Sequence, residues 1–298
     1  MDKVTGPLGP RRGIAVALRQ LREDSGKLLA DVAGDLMIST SKLSRLENAQ
    51  GKPLPRDIKD LIGYYGIEGT PLASRLRRWV AAAQRPGWWM EFDDQVLGTP
   101  LGVMGLDAHL AYEADATVER TYTLPFLPAL LQTQDYARAI FRDMERRPEE
   151  QIDQLVDVRM RRQQALGSRE GLEPLRLVAV THECTLRQAV GSAHVMQDQL
   201  DALLARSEAE NVTLHVLPFT AKPTFTMTCM YAYFEYQGEN DLEQDVVHIE
   251  THAGFLSIED PDKVSQYRNA HEALVGESLS EAESRELIRS CRNGVPHA

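Results

Sequence analysis

Asp31-Val32-Ala33-Gly34-Asp35-Leu36-Met37-Ile38-Ser39-Thr40-Ser41-Lys42-Leu43-Ser44-Arg45-Leu46-Glu47-Asn48 reads as two short helices with a tight break between them. Val32, Ala33 and Leu36 fall at helical spacing in the first. Ser39 is placed to cap the second, its hydroxyl accepting from an amide that the first helical turn leaves unsatisfied. That second helix has only Leu43 and Leu46 to bury; Thr40, Ser41, Lys42, Arg45 and Asn48 make its other side polar and cationic. A helix with two apolar anchors and a donor-rich outer face suits the major groove of DNA. An ordinary amphipathic surface helix has the same pattern, so the flanks decide.

Upstream, residues 12–25 carry Ile14, Ala17, Leu18 and Leu21 on one helical stripe. Downstream, residues 55–65 open on Pro55 and turn Ile58, Leu61, Ile62 and Tyr65 inward. These short helices, packed together, make one small all-α domain. With Leu18-Arg19-Gln20-Leu21-Arg22-Glu23, Ala33, Ile38-Ser39, Ser41 and Leu43 to Asn48, the chain resembles the XRE family of helix-turn-helix regulators, which includes the phage Cro and repressor proteins. The resemblance implies base-edge contacts at Thr40, Ser41 and Arg45 and phosphate contacts at Asn48 and the amides around Ser39. Lys42 and Ser44 complete the expected DNA-binding set, and Arg22 with Glu47 matches a structural ion pair. The sequence departs from the family at Leu29, where a glutamine is usual, and at the turn glycine, replaced by Met37 or its neighbour.

The chain has 298 residues and a net charge of −11. Residues 1–90 hold 15 Lys and Arg against 9 Asp and Glu; the remainder holds 18 against 35, so a +6 head joins a −17 body. Phosphate attraction is thus confined to the head. No run reaches the roughly 20 apolar residues of a membrane span, and residues 1–10 lack a signal-peptide core. Cys184, Cys229 and Cys291 lie too far apart for a Cys-x-x-Cys pair. A cytoplasmic location is expected.

The expected organisation is multi-domain, an all-α helix-turn-helix domain over residues 1–69 and an α+β domain over 105–298. Residues 70–104 would form a connecting helix (70–84) and a linker containing Trp88 and Trp89. In the body, helices are predicted over 107–120, 134–143, 149–166, 195–209, 262–275 and 280–291. Strands are predicted over 175–181, 212–217, 226–236 and 246–251. Glu113-Ala114, Leu127 to Thr133, Tyr136 to Ala139, Glu183, Leu186-Arg187, Asn211 to Phe219, Val246-Val247, Glu250, Tyr267-Arg268 and Ser280 to Ile288 form a second series. Residues 100–290 resemble the C-terminal domain, without assigned function, of actinobacterial antitoxin-like regulators. That resemblance implies a transcription factor paired with a small protein.

His248-Ile249-Glu250-Thr251-His252 would put two imidazoles and a carboxylate on one strand face, a donor set that suits zinc. The family pattern holds only the glutamate, so no metal is expected. On a strand, Cys184 would face away from Glu183 and serve no common site. Ser257 lacks a Gly-x-Ser-x-Gly frame and no glycine-rich phosphate loop occurs, so neither catalysis nor a cofactor is expected. Tyr136, Glu183, Arg187 and Glu250 are left as a ligand or partner pocket, or as core polar groups satisfying one another. The expected partners are double-stranded DNA, a second copy of the chain, and a small protein or small-molecule effector for the body. In the rival reading the protein is an antitoxin-like module that sequesters a small protein and autoregulates its promoter.

Overall fold

The computed structural model describes residues 6–92, 106–145, 148–169, 171–222, 228–236, 245–251 and 254–295. They fall into two units, one built on residues 6–91 with 111–115 and Tyr236, the other on the rest.

The first unit is helical: α1 (Gly9–Asp24), α2 (Leu29–Asp35), α3 (Thr40–Glu47), α4 (Pro55–Tyr64) and α5 (Pro71–Gln84). Ile14, Leu18, Val32, Leu43, Leu46, Ile58, Leu61 and Ile62 form its core, the side chains that the helical spacing selects. α5, read from sequence as a connecting helix, places Ala73, Leu76, Trp79 and Val80 in this same core. The close approach of α5 to α1 needs Gly13, where a Cβ would lie 2.9 Å from the Trp79 ring. Between α2 and α3, Met37 takes the left-handed conformation (φ 53°) that the turn requires, with its side chain 93% exposed.

The second unit is built on one mixed sheet of order β3-β2-β1-β4-β5-β6. After α6 (Leu106–Glu113), β1 (Val118–Thr123) occupies a central position. α7 (Gln134–Glu145) and α8 (Glu149–Arg162) lead to β2 (Arg176–His182). α9 (Glu183–Arg187) and α10 (Ala193–Arg206) lead to β3 (Val212–Leu217), and β1, β2 and β3 pair in parallel. β4 (Tyr231–Glu235), β5 (Val246–Thr251) and β6 (Gly254–Ile258) add an antiparallel meander on the other side of β1. α11 (Pro261–Glu277) and α12 (Glu281–Gly294) follow. The layout is the expected one, an all-α head and an α+β body. Tyr122, Val180, Tyr231, Tyr233, Val247 and Ile249 pack with Val264 and Leu274 of α11. The outer edge of β3 is capped by later chain: the Leu279 amide donates to the Val216 carbonyl (2.9 Å), and the Val216 amide donates to Ser284 Oγ (2.9 Å).

Three local readings change. The helix expected over 107–120 stops at Glu113, and Val118–Thr123 is strand instead. Its β-branched and aromatic residues pair on both edges, with β2 and β4, and that pairing outweighs local helical spacing. β6 was not anticipated. His182 ends a strand, but Glu183 and Cys184 begin a helix, and His182 Nδ1 accepts from the Cys184 amide at 3.1 Å as its cap. Cys184 therefore lies on a helix, where successive side chains do not alternate between two faces.

Candidate nucleic-acid interface

α3 starts where Ser39 Oγ accepts from the Lys42 amide at 3.1 Å. Leu43 and Leu46 are buried at 0% and 3% exposure, fixing which face turns outward. Ser39, Thr40, Ser41, Arg45 and Asn48 are exposed. Ser41, Arg45 and Asn48 follow one another at intervals of four and three, so they form a single stripe along the helix.

The helix is braced from both ends. Arg22 Nε on α1 donates to Glu47 Oε1 at 2.9 Å and Oε2 at 3.0 Å, with Glu47 buried. This hydrogen bond is the main reason the Arg22 pKa is raised. Arg19, one turn earlier on α1, donates from Nη2 to the Glu47 carbonyl and to Asn48 Oδ1, each at 2.7 Å. A cation there also complements the negative end of the α3 dipole. At the opposite end, Lys42 Nζ donates to Asp57 Oδ1 of α4 at 2.7 Å.

The expected DNA-binding set is thus divided by its contacts. Lys42 is held against α4 rather than standing free beside Ser41. Ser44 is half-buried, its carbonyl and Oγ accepting from Asn48 Nδ2 at 2.8 and 3.3 Å. Asn48 is exposed, yet both ends of its amide are engaged. At the start of α2, Leu29 follows a Leu28 amide that donates to Asp31 Oδ2 (3.1 Å), and Lys27 lies 3.7 Å from Asp35. Sequence reasoning missed Arg19 and Asp57. Arg19 precedes Arg22 by three residues, hence on one helix face, and that spacing was a usable signal. Nothing in the sequence pairs Asp57 with Lys42.

In the body the four pocket candidates do not gather. Glu183 Oε1 accepts from Arg187 Nη2 at 2.7 Å, while its Oε2 accepts from the Phe219 amide at 3.0 Å. Tyr136 is fully buried, its hydroxyl facing the Leu127 amide at 3.4 Å, and burial pushes its pKa up to about 12. Glu250 lies exposed near the end of β5. Arg187 borders a cavity of about 380 Å³ with Leu186, Met196, Ser290 and Cys291. His248 is buried at 2% exposure with its ring 5.1 Å from that of His109, and burial drives its pKa down to about 2. His252 lies outside the described residues. Among the described residues, no group of three or more His, Cys, Asp or Glu is placed to hold a metal ion, and no helix is long and apolar enough to cross a membrane.

The capped, braced helix with an exposed polar stripe defines the class, a helix-turn-helix protein. A family model described as a helix-turn-helix domain matches residues 14–76, which supports a DNA-binding regulator. A second model, described as a domain of unknown function (DUF5753), matches residues 106–290, more than half of the chain, and the protein belongs to that family. No curated protein and no solved structure was found to match it.

Proposed function

We propose that this protein is a sequence-specific transcription regulator of the XRE type, non-catalytic, working in the cytoplasm as a homodimer on double-stranded DNA. Thr40, Ser41 and Arg45 read base edges, and the body binds a small protein partner or small-molecule effector that sets when the head docks. The observation that carries this reading is Arg45: it is exposed on the outward stripe of a helix that Glu47 and Lys42 hold in place through Arg22 and Asp57. Such a guanidinium is suited to take guanine O6 and N7 together. Arg45→Ala is expected to cost about 1–3 kcal/mol on a selected operator and to relax preference at one base pair. Unchanged binding to operator and random duplex alike would refute the docking.

The −17 charge of the body favours a basic protein partner over a nucleic acid there, which also supports the antitoxin-like reading, a module that sequesters a small protein and autoregulates its promoter. Tagged full-length protein captured from its native cell distinguishes the two. A stoichiometric small protein supports the module, and a retained metabolite without protein supports the effector-controlled regulator.

A further inference from the structure

We infer that Arg19, on the first helix rather than the recognition helix, is a backbone-phosphate contact that takes the place of Asn48. The inference rests on the docking proposed above. Asn48 ends the stripe Ser41–Arg45–Asn48, where a helix lying in the groove meets the sugar-phosphate strand bordering it. Its own amide is committed: Nδ2 donates to the Ser44 carbonyl and hydroxyl, and Oδ1 accepts from Arg19. What the stripe presents at this end is the Arg19 guanidinium. Arg19 is exposed. Its Nη2 is fixed by two oxygens, Glu47 O and Asn48 Oδ1. The N–H groups on Nε and Nη1 have no partner among the described residues. A guanidinium anchored at Nη2 keeps its Nε and Nη1 donors for a single, charge-assisted hydrogen bond to a phosphate and loses little further side-chain freedom in making it. Asn48 and the Glu47 carbonyl therefore act as positioning groups, and the phosphate specialist stands on a neighbouring element.

The contact reads no sequence, so it can be tested without knowing the operator. Binding of the full-length chain to a random-sequence 30-base-pair duplex is measured across a salt series. Arg19→Met is expected to lower the slope of log affinity against log salt by about 0.9, the value for one phosphate. Arg19→Lys should keep the slope while weakening binding, since the charge stays and the anchored geometry of the guanidinium is lost. Asn48→Ala should also keep the slope. Tryptophan fluorescence identifies any variant whose head has unfolded, and Arg19→Lys then carries the test: loss of slope there overturns the assignment. A wild-type slope in a folded Arg19→Met, even with weaker binding, overturns it too and leaves Arg19 as a brace only. If the wild-type chain shows no salt-dependent duplex binding, the docking reading falls, and this inference with it.

Discussion

Removing the Arg22 side chain should be more damaging than removing its partner. Glu47 is 3% exposed and receives a bifurcated hydrogen bond from the Arg22 Nε–H, whereas Arg22 keeps 17% of its side chain in solvent. Arg22→Ala strands a buried carboxylate, for which about 3–5 kcal/mol is typical; access of water through the vacated space points to the lower end, about 3 kcal/mol. Glu47→Ala leaves a guanidinium that water can reach, at a cost of about 1–2 kcal/mol. Replacing both, Arg22→Met with Glu47→Leu, removes the desolvation problem and should cost less than Arg22→Ala alone. The assay is urea unfolding of the intact chain followed by tryptophan emission. All three tryptophans, Trp79, Trp88 and Trp89, lie in the helical unit, so the signal reports that unit selectively. With a slope of about 1–3 kcal/mol per molar urea, a 3 kcal/mol loss displaces the midpoint by about 1 M or more. An Arg22→Ala cost under about 1 kcal/mol, or a double variant equal to the sum of the singles, would refute the buried-pair argument.

Two further outcomes are expected. Met37→Gly should stabilise the head by about 0.5–1 kcal/mol, because the residue sits at φ 53° with almost nothing to lose by burial; an unchanged or lower urea midpoint contradicts this. In the body, His271 is fully buried with Nδ1 3.0 Å from the Tyr231 hydroxyl, and burial holds its pKa down to about 3. A folded pKa below the unfolded value of about 6.5 means that the unfolded chain binds the proton first. Stability is then complete above pH 6.5 and falls by about 1.4 kcal/mol per unit as the pH drops from there toward 3. Circular dichroism of urea unfolding at pH 7 and pH 5 should show the loss, and His271→Asn should reduce it; equal pH sensitivity in the variant assigns the effect elsewhere.

Much of the head was legible because its determinants are local. The 3.6-residue spacing of Ile14, Leu18, Ile58 and Leu61, and the hydroxyl of Ser39 one position before a helix, depend on neighbours within a few residues. The body was legible in class but not in detail. β1 is a strand because two other strands flank it, a condition that no window around Val118–Thr123 contains, and β6 exists as the return partner of β5. The outward face of α3 shows the same limit. Residue types nominated Lys42, Ser44 and Asn48 as DNA contacts, but what each side chain does depends on Asp57, Arg19 and the helix's own carbonyls. Of the residues left between a pocket and mutually satisfied polar groups, Glu183 and Arg187 satisfy each other one turn apart, and Tyr136 is enclosed in the core.

The cap on β3 has a consequence for how the chain is made. Val216 waits for Leu279 and Ser284, more than sixty residues later, to take up its carbonyl and amide. During synthesis the parallel side of the sheet therefore ends in an open strand until that closing segment arrives. An open strand of Val, Leu and His invites pairing with any extended chain nearby. Termination after Ile258 but before Leu279 would release a body with that edge bare. Products of this kind should gather in inclusions or be degraded, although every strand of the sheet has already been translated.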